Sequence, residues 1–486
     1  MNFLGIDVGT QGARTVICNE TGKVIALADC TFPPSHKSAM SNGWFEQQPA
    51  DWWKAVVKTL QEVTASLKEK HFSSESIKGI SVTSTSGTVC TIDGSQQVLG
   101  PAIMYNDKRS EKEAIEVQAV GAELAQKLGY RFSASFALPK LLWLLRHEQE
   151  LFHKARYLLS PTDFIIGKLT GEFGFTDYSN ALKTGYDLIE DRWPEFIETK
   201  LGIPLKKLPC VTAPGKEIAL INRQVAAETG LDAGTRVYAG MTDSCASQVS
   251  TGAIGPGNWC STLGTTLVIK GVTKHLIKDP QGRIYCHRHP DGYWLPGGSS
   301  NTGGECISTF FENSKLETLN RQAMTLIPTG ILTYPLIKSG ERFPFVQPRA
   351  KGFLPDPGLD EAIRYTACLE GVGYIERLSY QLLESLGAEI GDFIFTAGGA
   401  NKATTWLQIR ADILQKTLLI PRLSGGAMGA AIIAAAGSAF KGIVPAAKAM
   451  VQIEKEILPR KETSDVYSDS YNHFCEILRQ HGYLSE

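Results

Sequence analysis

A short loop near the start of the chain combines the residue types that bind polyphosphates. Residues 3–6 are mainly apolar and predict a strand that ends at Asp7, and β-type residues resume at 16–18. Glycines between them let successive backbone N–H groups point into one concavity, opposite the Asp7 carboxylate. The loop residues that would supply donors or positive charge are Gly9, Thr10, Gln11 and Arg14. This loop suits a polyphosphate with its Mg²⁺, and a hairpin in which Asp7 only fastens the turn fits the pattern equally well.

A later segment repeats this arrangement. Residues 257–270 predict a strand, a Gly-Thr loop and a second strand, and Thr262 stands where the first copy has Asp7. The residues of the second loop are Gly264, Thr265 and Thr266. Two hairpins of this kind indicate a duplicated fold whose halves face each other across one cleft.

Asp243 is a candidate reactive acid at the end of a predicted strand. Residues 235–239 predict a strand, and the small residues that follow Asp243 predict the start of a helix. In α/β proteins, reactive groups lie at the carboxyl ends of strands, as Asp243 would. An aspartate that caps the helix is the structural alternative. The repeated Gly-Thr loop favours the functional interpretation, because two phosphate loops and two acids in one cleft form a phosphotransfer geometry.

Polar residues follow two further predicted strands and could bind a polyol. The strand at 80–82 leads into Ser84, Thr85 and Ser86, and a strand that starts at 103 leads into Asn106 and Asp107. Short hydroxyl side chains leave room for a neutral sugar and can hydrogen-bond to it. A Ser/Thr turn explains the first run as well, and it needs no ligand.

Length and charge limit the class of protein. A chain of 486 residues exceeds what one hydrophobic core usually holds, so we expect two domains, 1–247 and 248–486. A last helix at 464–480 could pack back on the first half. The 49 Lys and Arg residues balance 50 acidic residues, which gives no electrostatic case for binding nucleic acid or an anionic membrane.

Cysteine usage and hydropathy indicate a cytoplasmic protein. The ten cysteines form no C-x-x-C pair, so neither a zinc knuckle nor a disulfide scaffold is indicated. The first predicted strand begins by residue 3, which leaves no room for a signal peptide, and the apolar run at 427–437 is too short to span a bilayer.

The apolar run at 427–437 contains Gly429 and follows Gly425 and Gly426. These glycines would permit either close helix packing or a ligand beside the start of the helix.

The chain resembles the FGGY family of carbohydrate kinases over nearly its whole length. Any one of the motifs alone is weak evidence for the family, but all seven occur here in the same order along the chain as in the family. The matching segments are 5–11, 43–47, 105–109, Gly240 with Asp243, 263–266, 339–342 and 397–401. The resemblance implies an α/β fold with two actin-like, ribonuclease H-like domains, and an ATP-dependent enzyme that phosphorylates a sugar in a central cleft.

The same resemblance implies the roles of individual residues. Asp243 would be the general base, beside Ser244, and Asp7 would help to hold Mg²⁺ through water. Residues 9–11 and 264–266 would bind the phosphates of ATP. The adenosine pocket would be lined by Gly398, Gly399, Ala400 and Asn401.

The resemblance also predicts the substrate. Where this chain has Ser84-Thr85-Ser86, FGGY kinases of glycerol carry Arg-Glu and typical xylulokinases carry Gln-Met-His-Gly. Residues 85–88, 104–107, 243–244 and 298–304 look more like the ribulose kinases of plants and cyanobacteria. We therefore expect D-ribulose as the substrate, D-xylulose as the alternative, and a monomer or homodimer.

Two other functions are compatible with this fold. An actin-like ATPase could use nucleotide binding to switch between conformations that bind protein partners, and a sugar-binding regulator would have no turnover at all. The switch gives no reason for an acid at Asp243 beside a hydroxyl cluster. Sugar-dependent release of ADP separates a kinase from both.

Overall fold

This computed structural model describes residues 1–33 and 43–484. The strands are β1 (Asn2–Val8), β2 (Gly12–Asn19), β3 (Val24–Thr31), β4 (Glu46–Gln47), β5 (Ile77–Ser84), β6 (Cys90–Ile92), β7 (Ala102–Ile103), β8 (Tyr157–Leu159), β9 (Phe175–Asp177), β10 (Cys210–Thr212), β11 (Glu217–Leu220), β12 (Arg236–Thr242), β13 (Trp259–Leu263), β14 (Leu267–Gly271), β15 (Ile284–Arg288), β16 (Trp294–Ser300), β17 (Phe393–Ala397), β18 (Thr417–Pro421) and β19 (Ile453–Ile457). The helices are α1 (Pro49–Glu69), α2 (Glu111–Val120), α3 (Ala122–Leu128), α4 (Ala137–His147), α5 (Gln149–Lys154), α6 (Pro161–Thr170), α7 (Tyr178–Ala181), α8 (Phe196–Thr199), α9 (Arg223–Thr229), α10 (Asp243–Thr251), α11 (Glu305–Phe310), α12 (Leu316–Leu326), α13 (Glu361–Ser385), α14 (Thr404–Leu414), α15 (Gly426–Ser438), α16 (Ile443–Met450) and α17 (Lys461–Gln480).

The chain divides into two compact units, each with its own sheet and its own buried core. The first unit comprises Met1–Ile254, His287–Tyr293 and Leu423–Val451. The second comprises Gly255–Cys286, Trp294–Arg422 and Gln452–Glu486. This division differs from the two continuous halves expected from the sequence, because residues 423–451 belong to the first unit.

The sheet of the first unit has the strand order β11-β12-β5-β1-β2-β3. Strands β1, β2 and β3 form an antiparallel meander, whose first two strands and intervening loop are those predicted from the opening sequence. Strands β5 and β12 run parallel to β1, and Asp7 on β1 is in register with Thr83 on β5. Since parallel strands end at the same edge, the residues after β1, β5 and β12 lie together.

Helix α1 covers one face of this meander. A proline in its first turn suits the helix start, and apolar residues recur at helical spacing along it. The side chains of Trp52, Val56, Leu60 and Val63 are buried, and the helix packs on β2 and β3. Pro49 and the apolar residues that follow it at spacings of three and four predict a helix over 49–69, which is the observed range.

Helix α15 covers the other face and explains the glycines near the end of the chain. It packs on β1, β5 and α10 so closely that side chains do not fit between the backbones. A Cβ on Gly5 would lie 1.9 Å from the Ala427 carbonyl oxygen, and one on Gly429 would lie 1.9 Å from that of Ala246. The small residues of α15 therefore serve helix packing in the first unit.

The sheet of the second unit has the order β15-β16-β14-β13-β17-β18-β19. Strands β13 and β14 form an antiparallel hairpin in which Leu263 pairs with Leu267, as the repeated motif predicts. Strand β17 runs parallel to β13 and to β18. The loop 264–266 and the segment that follows β17 therefore lie at the same edge of this sheet.

Helix α17 packs within the second unit, not on the first half of the chain as expected. Its buried face includes Tyr467, Tyr471 and Phe474, and it lies against α14. The Tyr467 hydroxyl donates a hydrogen bond of 2.9 Å to the buried carboxylate of Glu370 on α13. Among the residues that the structure describes, no helix is long and apolar enough to cross a membrane.

Candidate active site

Two acids meet at the carboxyl edge of the first unit's sheet. Asp7 is the penultimate residue of β1, and Asp243 is the first residue of α10, directly after β12. Burial and the nearby negative charge of Asp243 raise the pKa of Asp7 to about 7, and Arg14 opposes both effects. The Asp243 carboxylate is held by a 2.6 Å hydrogen bond from the Ser244 N–H. The structure thus brings together the two acids that the sequence singled out.

The surroundings of Asp7 suit a divalent cation. Within residues 1–33 and 43–484, no donor bonds to the buried Oδ1 atom of Asp7. A buried carboxylate oxygen without a donor is costly, and a cation would compensate it. In that part of the chain, no group of three or more His, Cys, Asp or Glu side chains is arranged to hold a metal ion by itself. This donor set fits Mg²⁺, which takes one or two carboxylates together with water and substrate phosphates.

The first Gly-Thr loop is a tight turn whose conformation is fixed by neighbouring side chains. The Gly9 N–H donates to the Gly12 carbonyl (3.0 Å), and Thr10, Gln11 and Arg14 are exposed. Gln47 donates from Nε2 to the Thr10 carbonyl at 2.8 Å. Sequence reasoning gave Gln47 no role, although it lies in the 43–47 motif.

The second Gly-Thr loop is also exposed, and it rests on the segment after β16. The Gly264 N–H donates to the Thr266 carbonyl at 3.1 Å. Gly304 and Glu305 donate their backbone N–H groups to the carbonyls of Gly264 (2.8 Å) and Thr265 (3.1 Å). Both predicted phosphate loops are therefore accessible turns between antiparallel strands.

The segment 398–401 is a glycine turn, and the buried ion pair of Arg410 and Glu376 supports it through Thr396. Gly398 has a φ of 98°, and a Cβ there would lie 2.3 Å from the Leu263 carbonyl oxygen. The Asn401 side chain exchanges two hydrogen bonds with Thr396, through its hydroxyl (3.0 Å) and its carbonyl (2.8 Å). Arg410 donates to the Thr396 hydroxyl at 2.9 Å and forms a bidentate pair with Glu376. Ala400 is buried, whereas Gly398 and Gly399 are exposed, so the turn presents backbone rather than side chains.

The predicted hydroxyl run at 84–86 is buried, and two of its three hydroxyls bond to other residues of the first unit. Ser84 and Thr162 share a hydrogen bond of 2.7 Å between their hydroxyls, and Thr85 and Thr88 share one of 3.1 Å. The Ser86 hydroxyl is buried without a partner among the residues that the structure describes. Of these three hydroxyls, that of Ser86 is the one still lacking a hydrogen bond.

Asp107 holds an arginine and a backbone segment in place. Its carboxylate accepts the Phe45 N–H at 2.6 Å and forms a bidentate pair with Arg109, at 2.9 and 2.8 Å. The Arg109 guanidinium lies 3.9 Å from the centroid of the Trp44 ring. Asp107 is 1% exposed, whereas Asn106 is exposed. Asp107 therefore orders the 43–47 segment, and Asn106 remains accessible.

A polar network that sequence reasoning did not assign holds the end of β12. The Asp177 carboxylate accepts the N–H groups of Ser179 (2.7 Å) and Asn180 (3.1 Å), and it also accepts the Ser179 hydroxyl. The Ser179 oxygen then accepts the Thr242 N–H at 2.9 Å. Thr242 immediately precedes Asp243, so this network fixes the backbone that carries the acid. The sequence signal for this network is the polar run 176–180.

Two sheet-containing α/β units with a Gly-Thr hairpin in each define an actin-like, two-domain phosphotransferase. Solved structures with this architecture match nearly the whole chain. A kinase from Brucella ovis has a TM-score of 0.88 at 26% identity and covers 100% of both chains. The xylulose kinase from Rhodospirillum rubrum also has a TM-score of 0.88, at 25% identity over 99% of both chains.

Sequence comparison identifies the family. The N-terminal domain model of the FGGY family of carbohydrate kinases matches residues 2–250, and the C-terminal domain model matches residues 260–438. The xylulose kinase of Bacillus subtilis is 29% identical over 97% of this chain and 96% of its own length. The chain belongs to the FGGY family of carbohydrate kinases. It is an ATP-dependent sugar kinase, which confirms the predicted family, fold class and type of enzyme.

Proposed function

We propose that this sugar kinase transfers the γ-phosphoryl group of ATP to a hydroxyl of D-xylulose. The observation that supports this substrate is the full-length similarity to kinases of xylulose in both the sequence and the structure comparisons. The sequence alone favoured D-ribulose, because residues 85–88, 104–107, 243–244 and 298–304 resemble ribulose kinases and the short hydroxyl side chains of Ser84, Thr85 and Ser86 suit a ketopentose. Two of these hydroxyls bond to other residues of the first unit, which weakens the argument for D-ribulose.

In the proposed reaction, Asp243 is the general base. The sugar hydroxyl oxygen forms a bond to the γ-phosphorus while the bond from this phosphorus to the β,γ-bridging oxygen breaks, and ADP leaves. The proton of the sugar hydroxyl passes to the Asp243 carboxylate. The hydrogen bond from the Ser244 N–H orients the Asp243 carboxylate before the reaction. A base in this position contributes about 10²–10⁴ in rate.

Asp7 is the proposed ligand for Mg²⁺, through water. Its buried Oδ1 atom lacks a donor among the described residues, and burial together with Asp243 disfavours its charge. When bound, Mg²⁺ neutralises the phosphate oxygens that carry charge during transfer. Asp7 thus orients the phosphates, while Asp243 handles the proton.

The proposed nucleotide contacts come from three exposed turns. Residues 9–11, with Arg14 nearby, and residues 264–266 would offer backbone N–H groups and hydroxyls to the phosphates. Gly398 and Gly399 would let the adenosine approach the backbone closely. Asn401 would stabilise the turn through its bonds to Thr396 and would not itself contact the adenine base. Asn106 and Ser86 are the remaining candidates for contacts with the sugar.

A coupled assay of ADP release with a panel of sugars tests this function. We expect D-xylulose to give the highest kcat/KM among D-xylulose, D-ribulose, aldoses and glycerol. A higher value for D-ribulose would restore the alternative substrate and overturn the proposal. ADP release that does not depend on any sugar would instead indicate an ATPase switch.

A further inference from the structure

Glu341 is a buried carboxylate at the centre of a hydrogen-bond network in the second unit. It belongs to the 339–342 motif, it is 3% exposed, and the proposed reaction gives it no role. Among the described residues, its two oxygens accept five hydrogen bonds. The donors to Oε1 are the N–H groups of Asn301 (2.7 Å) and Arg342 (3.1 Å), and the donors to Oε2 are the hydroxyls of Ser300 (2.8 Å), Thr302 (2.9 Å) and Tyr334 (3.1 Å).

Three of these donors come from the segment that supports the second Gly-Thr loop. The Thr302 carbonyl accepts the Leu267 N–H at 3.0 Å, at the base of that loop. A Cβ on Gly303 would lie 2.6 Å from the backbone of Thr266, and one on Gly304 would lie 2.6 Å from the Gly264 carbonyl oxygen. The loop 264–266 is therefore in direct backbone contact with Gly303 and Gly304, which directly follow the three residues that Glu341 holds.

We propose that Glu341 is a positioning residue for nucleotide binding, which acts by fixing residues 300–304 beneath the loop 264–266. The proposal rests on the proposed function, in which this loop binds phosphates. A loop that binds phosphate through backbone N–H groups depends on its conformation, because a small rotation of a peptide unit turns its N–H away. Fixing that conformation before ATP arrives reduces the entropy lost on binding.

The chemistry of the site requires a carboxylate. A carboxylate accepts hydrogen bonds at both oxygens, whereas the amide of a glutamine has one oxygen and one NH₂ donor. In one orientation, the NH₂ donor of the glutamine in Glu341→Gln would face the N–H donors of Asn301 and Arg342, which would then have no acceptor. In the other, it would face three buried hydroxyls whose own protons would then lack an acceptor. Either orientation loosens the 300–304 segment.

The test is the Kd for ATP without sugar, measured by calorimetry on the full chain. We expect Glu341→Gln to raise this Kd roughly tenfold, while the KM for the ketose changes by less than about twofold. Glu370→Gln is the matched control, because Glu370 is also buried in the second unit. It accepts hydrogen bonds from Thr329 and Tyr467, neither of which belongs to the segment 300–304. The control should leave the Kd for ATP unchanged.

A second pair of variants tests the positioning role of Glu341 even if Glu341→Gln fails to fold. Thr302→Val and Tyr334→Phe each remove one hydroxyl that bonds to Oε2 of Glu341, but only Thr302 is part of the supporting segment. We expect Thr302→Val to raise the Kd for ATP roughly threefold and Tyr334→Phe to leave it unchanged. Equal effects in this pair, or a folded Glu341→Gln variant with the wild-type Kd, would overturn the inference. A wild-type protein that does not bind ATP would instead refute the proposed function.

Discussion

Gly426 lies directly against the carboxylate of Asp7, so that a Cβ built on Gly426 falls 2.6 Å from the Asp7 Cγ atom. Gly426 is the first residue of α15, and it reaches Asp7 because residues 423–451 belong to the first unit. A side chain at this position cannot coexist with the present position of the carboxylate. The glycine therefore maintains the space that Asp7 occupies.

Gly426→Ala should lower kcat by roughly tenfold, because the methyl group displaces the Asp7 carboxylate. The measurement is ADP release at saturating sugar, with the melting temperature recorded in parallel. Gly94→Ala is the control, since no heavy atom of the described residues lies within 4 Å of a Cβ built there. Full activity in a folded Gly426→Ala protein would show that Asp7 need not stay in place.

Asp243→Asn should abolish most sugar phosphorylation, with a fall in kcat of about 10²–10⁴, because the amide cannot accept the hydroxyl proton. The amide is close to the carboxylate in shape, so we expect binding of ATP to persist. Single-turnover ADP formation and a nucleotide titration measure the two properties separately. A variant with near wild-type turnover would remove Asp243 from the role of general base.

Ser179→Ala should lower kcat roughly threefold to tenfold with little change in the Kd for ATP, because the end of β12 loses the acceptor of the Thr242 N–H. Thr64→Val is a matched control: the Thr64 hydroxyl is also buried in the first unit, where it donates to the Thr229 carbonyl at 2.6 Å. The two variants should lose similar stability. If both lose activity in proportion to stability, Ser179 has no positioning role.

The stability of the protein should depend on pH through Glu370. Burial raises the pKa of Glu370 to about 7, from the ordinary value of 4.5. The folded state therefore binds this proton more tightly than the unfolded chain does. The resulting stabilisation is fully present below pH 4.5 and is lost as the pH rises through about 7.

Urea unfolding of the wild type and of Glu370→Gln at about pH 5 and about pH 8 measures this effect. Relative to the variant, the wild type should lose about 1–3 kcal/mol between the two conditions. The comparison with the variant removes the contributions of other buried acids that titrate in the same range, such as Asp163. Parallel changes in the two proteins would contradict the assignment to Glu370.

The features that the sequence predicted well depend on local patterns. The hairpin of β1 and β2 follows from apolar runs that flank a glycine loop, and α1 follows from a proline start and a helical repeat of buried residues. The junction of β12 with α10 at Asp243 is likewise encoded by neighbouring residues. Local patterns therefore placed both acids at strand ends.

The features that the sequence did not predict depend on contacts between distant residues. The Ser84 hydroxyl is occupied by Thr162, and Gln47 fixes the first loop through Thr10. Nothing in the spacing of these residues predicts which ones will meet. The same applies to Gly426, whose contact with Asp7 requires α15 to lie in the first unit.

The placement of α15 also has a consequence for synthesis of the protein on the ribosome. Strands β1 and β5 emerge early, but the helix that covers one of their faces ends at residue 438. At ~5–20 residues per second, translation from residue 254 to residue 438 takes roughly 10–40 s. During this interval the face of the sheet that α15 covers stays exposed in the nascent chain, and the first unit acquires this cover only after residue 438 has been synthesised.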